Sequence, residues 1–401
     1  MNAVIYGAGN IGRGFIGALF AGSGYNVTFI DTAEEIVKGL REKRSYPVRL
    51  LSDKRFEDVL VEGVNAVHGA NEAEAAELIA QADIMATAVG VRALPFIAPV
   101  IAAGLKKRFK QGASPLNIII CENLIDADRY LAGLIRNYLD TSEAGMLEKN
   151  VGFVEASIGR MVPVQLPEMQ DGNILRICSE EYSFLPVDKN AFVGEIPEIK
   201  GMIPFDQFGF FIQRKLFIHN MGHAVCAYLG LLLGDTYISA AISRADVYLI
   251  TENAMLESAL ALEGKFGVQL KDLVAHIKDL LFRFNNRALK DSCARVGADI
   301  ERKLGPSDRL IGAMRGCAEQ GITPSFISIG AAAAIFCLLR ERGLDQKEEN
   351  AAPALMDISG LEAGSAELPL ILEMYGHIRQ GKELNALISL ALEMGKKTGV
   401  I

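Results

Sequence analysis

NAVIYGAGNIGRGFIGALFAGSGYNVTFID, residues 2–31, decides the fold. NAVIY is an apolar run of strand length. GAGNIG follows at residues 7–12, IGRGFIGALFAGSG reads as a helix that stops at glycines, and NVTFID is a second apolar run closed by an acid. Gly7, Gly9 and Gly12 fit GxGxxG. That spacing serves a tight turn, a close backbone approach to a pyrophosphate and close packing of helix on strand, and the helix N-terminus supplies free N–H groups and a positive dipole end. The strand–turn–helix–strand context argues against the competing reading, a glycine-rich turn beside an ordinary strand-end aspartate. Asp31 is placed to accept hydrogen bonds from ribose hydroxyls and would repel a 2′-phosphate. The following DTAEE offers no arginine, so NAD is expected over NADP. The expected cofactor contacts are Gly7, Ala8, Gly9, Asn10, Ile11, Gly12, Arg13 and Asp31.

Outward from this unit the pattern repeats. Ala82–Gly90 (ADIMATAVG) and Pro115–Asn123 (PLNIIICEN) read as buried strands, with helical stretches such as APVIAAGLKKRF between them. Strands alternating with helices predict a parallel sheet covered on both faces. VGFVEASIGRMVP (151–163) and ILRICSEEYSFLPV (174–187) read as further strands of that sheet. Proline and glycine punctuate DKNAFVGEIPEIKGMIPF, and the chain beyond is mostly helical. The fold class expected is α/β, with a Rossmann-type dinucleotide-binding domain over residues 1–190 and a second, mostly α-helical domain over 191–401. Residues 344–367 read as a polar, Ala-rich surface connection with a short helix.

Composition bounds the function. Half of the 401 residues are apolar, 22% are charged, and the formal net charge is −8. That balance opposes a general nucleic-acid or anionic-membrane binder. The N-terminus has no basic region followed by a cleavable apolar one. The longest apolar run, Ser325–Leu339, falls short of the roughly 20 residues of a membrane span and reads as a buried helix. The six cysteines form no CxxC pair and read as reduced core residues of a cytoplasmic protein.

RKLFIHNMGHA, residues 214–224, holds two of the five histidines, with Lys215 and Asn220 beside them and an apolar stretch after them. On a regular α-helix Lys215, His219, Asn220 and His223 share an arc of roughly 140°. Hydride removal from an alcohol needs a base for the hydroxyl proton and donors for the oxygen. A partly desolvated lysine can be the base, and Asn220 and His223, three apart, can hold one oxygen. Two other readings stand beside this: a snorkelling lysine with hydrogen-bonded core histidines, and a zinc site on His219 and His223. The second lacks the glutamate of HExxH and a third ligand, so no metal is expected.

RKLFIHNMGHA carries the K-x4-N-x2-H signature and resembles the polyol-specific long-chain dehydrogenases. GAGNIGRGFIG, SPLNIIICEN, RMVP, LPVDKNAFVGEIP and RFNNRALKDSCARVGADIERKLGPSDRL extend the resemblance over nearly the whole chain. It implies a Rossmann domain, a helical domain and metal-independent chemistry in a cleft between them. Lys215 matches the general base, Asn220 and His223 the pair on the reacting oxygen, and Asn123 a polar residue near substrate. His219 falls on a variable position. Val89 and Gly90 are expected to border the nicotinamide. The segment from Arg283 to Arg315 holds eight Lys or Arg against four acids. Intrahelical pairing explains about half of these cations, and the resemblance singles out Arg295 and Lys303 as substrate contacts. Two positions depart from the family pattern: Gly159 stands where an acid is common, and Ala298 where RVGR-x-P continues. Loss of the acid favours an anionic substrate. The expected activity interconverts a sugar alcohol phosphate and a ketose phosphate, D-mannitol 1-phosphate and D-fructose 6-phosphate being the specific pair. A hexuronate reductase or an unphosphorylated polyol dehydrogenase is the alternative within the class. A non-catalytic dinucleotide sensor and a metal hydrolase are the alternatives outside it. Partners are expected to be small molecules, with no nucleic acid and no membrane, on a monomer or small homo-oligomer.

Overall fold

β1 (Asn2–Tyr6) is apolar in both directions. Ala3 and Ile5 enter one core, while Val4 and Tyr6 enter the core on the opposite face. Such a strand must be covered on both sides. It lies between β2 (Asn26–Asp31) and β6 (Ile84–Thr87), parallel to both. With β5 (Val64–His68), β7 (Leu116–Ile120) and β8 (Val151–Glu155), the computed structural model gives a six-stranded parallel sheet in the order β5-β2-β1-β6-β7-β8. The order reverses at β1, so the carboxyl ends of β1 and β6 flank the switch point where such sheets bind ligands. The structure describes residues 1–52, 55–112 and 114–397. The chain forms two compact units, Met1–Phe208 and Gly209–Ile401.

One sequence expectation is corrected. Residues 174–187 do not extend the main sheet. Their first part is β9 (Ile177–Ser179), which pairs with β3 (Ser45–Leu51); β3 also pairs antiparallel with β4 (Phe56–Glu62). Their last part is β10 (Leu185–Asp188), which pairs with β11 (Met202–Phe205). An isolated bridge, Ala156 with Val187, and the Ser157 N–H on the Pro186 carbonyl at 3.0 Å tie them to the edge of the main sheet. The hairpin of β3 and β4 offers β9 a free edge, and a three-residue strand needs no more. The stretch 151–163 is likewise a strand only as far as Glu155. Residues 191–207 belong to the first unit because β11 lies on β10.

The second unit is helical. Phe208–Leu233 runs without a break and is long and apolar enough to cross a membrane, but 61% of its most apolar 18 residues are buried within the fold. The helices Ala245–Phe266 and Ser325–Glu341 pack on its later half. The apolar run Ser325–Leu339 is this last helix, and every residue of it but Phe336 is buried, as read from the sequence. All six cysteines are free and buried.

Candidate functional site

Gly7 has φ +106°, and a Cβ there would collide with the Ala88 carbonyl oxygen. Gly12 begins a π turn, Gly12–Gly17, that leads into the helix Ala18–Gly22, and its Cβ would run into the Gly7 carbonyl oxygen. Neither position admits any other residue. Gly9 is the opposite case. It is exposed, with no atom within 4 Å of where a Cβ would sit. The loop is thus packed at its two ends and open in its middle, which fits a phosphate held against bare backbone. Asp31 ties the loop to β2: Oδ2 accepts the Ala8 N–H at 2.5 Å and Oδ1 the Ala33 N–H at 2.9 Å. Arg13 is a brace. Its Nε donates to the Ala8 carbonyl at 2.6 Å, its Nη1 to that of Leu175 at 2.6 Å, and burial lowers its pKa to about 10. Ile11 is half-buried, and Asn10 is exposed with Nδ2 3.2 Å from the Pro163 carbonyl.

On the other side of the switch point, Val89 and Gly90 donate their N–H groups to the two oxygens of Glu122, at 3.0 and 2.8 Å. Glu122 follows β7, is buried, and has its pKa raised by desolvation against the pull of those N–H groups. Asn123, next in the chain, is exposed.

In the second unit the polar cluster does not lie on a regular α-helix. Lys215–Asn220 is a π turn inside the helix Phe208–Leu233, and α geometry resumes at Met221. The arc of roughly 140° therefore does not apply. A π turn closes its hydrogen bonds from i to i+5, which brings Lys215 and Asn220 nearer to one face than an α-helix would. Such turns concentrate at functional sites because the extra residue re-aims its neighbours. Lys215, Asn220 and His223 are half-buried. His219 is buried, and desolvation followed by the nearby Arg283 holds its pKa well below the usual imidazole range. His276 is brought down to about 3 by burial and by Arg214 and Arg283. Both rings are neutral. The rings of His219 and His223 are 6.2 Å apart, and among the described residues no group of three His, Cys, Asp or Glu is placed to hold a metal ion.

His223 stacks on Phe284 with centroids 4.6 Å apart and planes 12° from parallel. Its Nε2 lies 3.3 Å from Asp291 Oδ2. The contact is long and imperfectly aligned for a hydrogen bond, as contacts in ligand-free sites often are. The other oxygen of Asp291 takes Arg295, from Nε at 2.7 Å and Nη2 at 2.6 Å. Burial alone would raise the Asp291 carboxyl, but His223 and Arg295 hold it below the usual range. The structure thus joins two expected site residues, His223 and Arg295, through a third group. Lys303 sits apart from them on the short helix Ile300–Lys303. It is 5% exposed, and burial followed by Arg309 and Arg302 lowers its pKa to about 8.

Residues 1–201 match the family model described as the mannitol dehydrogenase Rossmann domain, and residues 208–394 match that of the mannitol dehydrogenase C-terminal domain. The chain belongs to the mannitol dehydrogenase family. Its class is thereby that of the NAD-dependent polyol oxidoreductases. Two solved structures share the architecture at 14% identity. Pseudomonas fluorescens mannitol 2-dehydrogenase, in a ternary complex with NAD and D-mannitol, has a TM-score of 0.78 over 98% of this chain and 94% of that one. A D-sorbitol dehydrogenase in substrate-free form has a TM-score of 0.79 over 96% and 94%. At that identity the likeness speaks for the fold.

Sequence reasoning missed two carboxylates of this family member. Glu122 has a signal, an acid directly after the buried run NIIIC. Asp291 has only a weak one, its i,i+4 spacing to Arg295. Phe284, the ring under His223, has none, because 61 residues separate the two. Arg283 counted as one cation of a basic segment, but its side chain is 8% exposed and pairs with Asp279 at 3.2 Å.

Proposed function

We propose that this mannitol dehydrogenase family member interconverts a sugar alcohol phosphate and a ketose phosphate, with D-mannitol 1-phosphate and D-fructose 6-phosphate as the specific pair. The observation that carries the phosphate is Lys303. Among the described residues no hydrogen bond or ion pair closes on its ammonium, although the residue is buried and the effect of Arg309 and Arg302 on it outweighs that of Asp299 and Asp308. A buried, unpaired cation is costly unless a ligand anion completes it. By contrast, the cations at 295, 302 and 309 have acids at 2.6–3.1 Å.

NAD, when bound, supplies the hydride acceptor. The turn at Gly7–Gly12 and Asp31 would hold it, with Val89 and Gly90 at the neighbouring strand end. Lys215 takes the hydroxyl proton in oxidation and returns it in reduction. Asn220 Nδ2 donates to the oxygen as its charge changes, and His223 borders the same oxygen. Arg295 and Lys303 take the anionic end, and Asn123 is a polar contact to the sugar. A second reading, an unphosphorylated polyol, is favoured by the names of the two similar structures.

NADH oxidation, followed by absorbance, with fructose 6-phosphate, fructose, fructuronate and tagaturonate decides between them. The expected outcome is a kcat/KM for fructose 6-phosphate at least about a hundredfold above that for fructose, the worth of contacts to a charged group. Better use of fructose or of a hexuronate overturns the phosphate assignment.

A further inference from the structure

We infer that Asp291 is a positioning residue for the reaction, holding His223 by Nε2 so that Nδ1 is the nitrogen turned to the substrate oxygen. This rests on the reading of His223 as an oxygen-binding group and adds the means by which its ring is aimed.

Three constraints converge on that ring. Its plane is set by the stack on Phe284, 12° from parallel. Its Nε2 is buried and faces Asp291 Oδ2 at 3.3 Å. The side chain as a whole keeps 13% of its surface, so the accessible part of the ring is not at Nε2. A ring with a fixed plane and one committed nitrogen has the direction of its other nitrogen fixed as well. Which ring nitrogen carries the proton follows from the partner of the other.

Asp291 is itself held on every side. Arg295 grips Oδ1 with two nitrogens, which leaves Oδ2 for the imidazole. The main chain is locked by the Ile238 N–H on the Asp291 carbonyl at 2.9 Å and the Cys293 N–H on the Thr236 carbonyl at 2.9 Å, with a bridge between Tyr237 and Ser292. A carboxylate fixed at main chain and side chain alike can transmit a position, which a mobile one cannot. Arg295 acquires a second duty here, that of anchoring the group that aims His223.

The test combines kinetics with nitrogen-15 spectra of the histidines, in which His223 is assigned by its absence in His223→Ala. The spectra are expected to show the Nε2–H form of His223 in the parent enzyme and a change of that signal in Asp291→Ala. Turnover in Asp291→Ala should fall about tenfold to a hundredfold, the scale of loss known for groups that orient metal-bound imidazoles, with the NADH dissociation constant unchanged. At saturating substrate, where any disturbance of Arg295 as a substrate contact falls on KM, turnover of the double variant should be no lower than that of His223→Ala alone, because on turnover the second change acts only through the first. An Nδ1–H form in the parent, or effects that multiply in the double variant, overturns the inference. Normal turnover in His223→Ala overturns the underlying reading of His223 instead. If Asp291→Ala does not fold, Asp291→Asn keeps the shape, and the same non-additivity is expected of it.

Discussion

Lys303 is where one side chain says most about substrate. Its ammonium is present below a pKa of about 8 and lost above it, burial being the first cause and the neighbouring Arg309 and Arg302 the next. If it binds the anionic end of the substrate, kcat/KM for a phosphorylated ketose falls as pH rises through about 8, since that ratio reports the free enzyme. Lys303→Met should lower kcat/KM about tenfold to a hundredfold and remove that limb of the profile. A limb that persists in the variant belongs to another group. Asp31 allows a second test at this scale. Its carboxylate faces the glycine loop, and a 2′-phosphate brought near it meets like charge. Specificity constants measured with both cofactors should favour NAD, and Asp31→Ser should narrow the ratio while weakening NAD itself, because the Ala8 N–H loses its acceptor. Equal use of NADP by the parent enzyme removes Asp31 from cofactor choice.

At the scale of elements, two helices depart from what periodicity can describe. Lys215–Asn220 is a π turn, so the spacing that suggested a shared face describes the wrong helix. The grouping of Lys215 with Asn220 survives because a π turn brings i and i+5 nearer to one face than an α-helix does. The helix Ser325–Glu341 has no cap of its own. Its first N–H groups are met from the helix Ala245–Phe266 by Glu257, which accepts from Phe326 at 2.8 Å, Ile327 at 3.0 Å and the Ser325 hydroxyl at 2.9 Å. Burial pushes this carboxyl up to about 8 against those donors. Removing it strands buried donors at about 1–3 kcal/mol each. Glu257→Ala should therefore lose more than about 2 kcal/mol of stability, read as a lower urea midpoint at unchanged slope. An unchanged midpoint means that water replaces the carboxylate.

For the whole molecule, the proposed assignments divide between the two units, Asn123 apart. Every residue assigned to the dinucleotide lies within Met1–Phe208, and Lys215, Asn220, His223, Arg295 and Lys303 lie within Gly209–Ile401. Lys215→Ala should accordingly lower turnover by about 10² to 10⁴, the contribution of a positioned base, and leave NADH binding at the parent value. Turnover measured beside NADH fluorescence titration checks both halves. Near-normal turnover removes Lys215 from the chemistry, and lost NADH binding makes it structural.

The sequence by itself determined the parallel sheet, the glycine turn and the helical second unit. Each of these follows from local rules, the period of apolar residues and the φ that only glycine adopts, as at Gly7. It also placed Lys215, Asn220 and His223 in one short helical stretch, with Asn220 and His223, three apart, as neighbours. Only the tertiary structure decided the partners of those groups. The stacking of His223 on Phe284, the grip of Asp291 on Arg295 and His223, the bonds of Glu122 to Val89 and Gly90, and the pairing of β9 with β3 all join residues from separate elements. Such contacts depend on how helices and strands pack, and packing leaves no period in the chain. The same physics hid Lys303: in sequence it is one cation among eight, and its burial beside Arg309 and Arg302, whose effect outweighs that of Asp299 and Asp308, appears only once the fold closes around it.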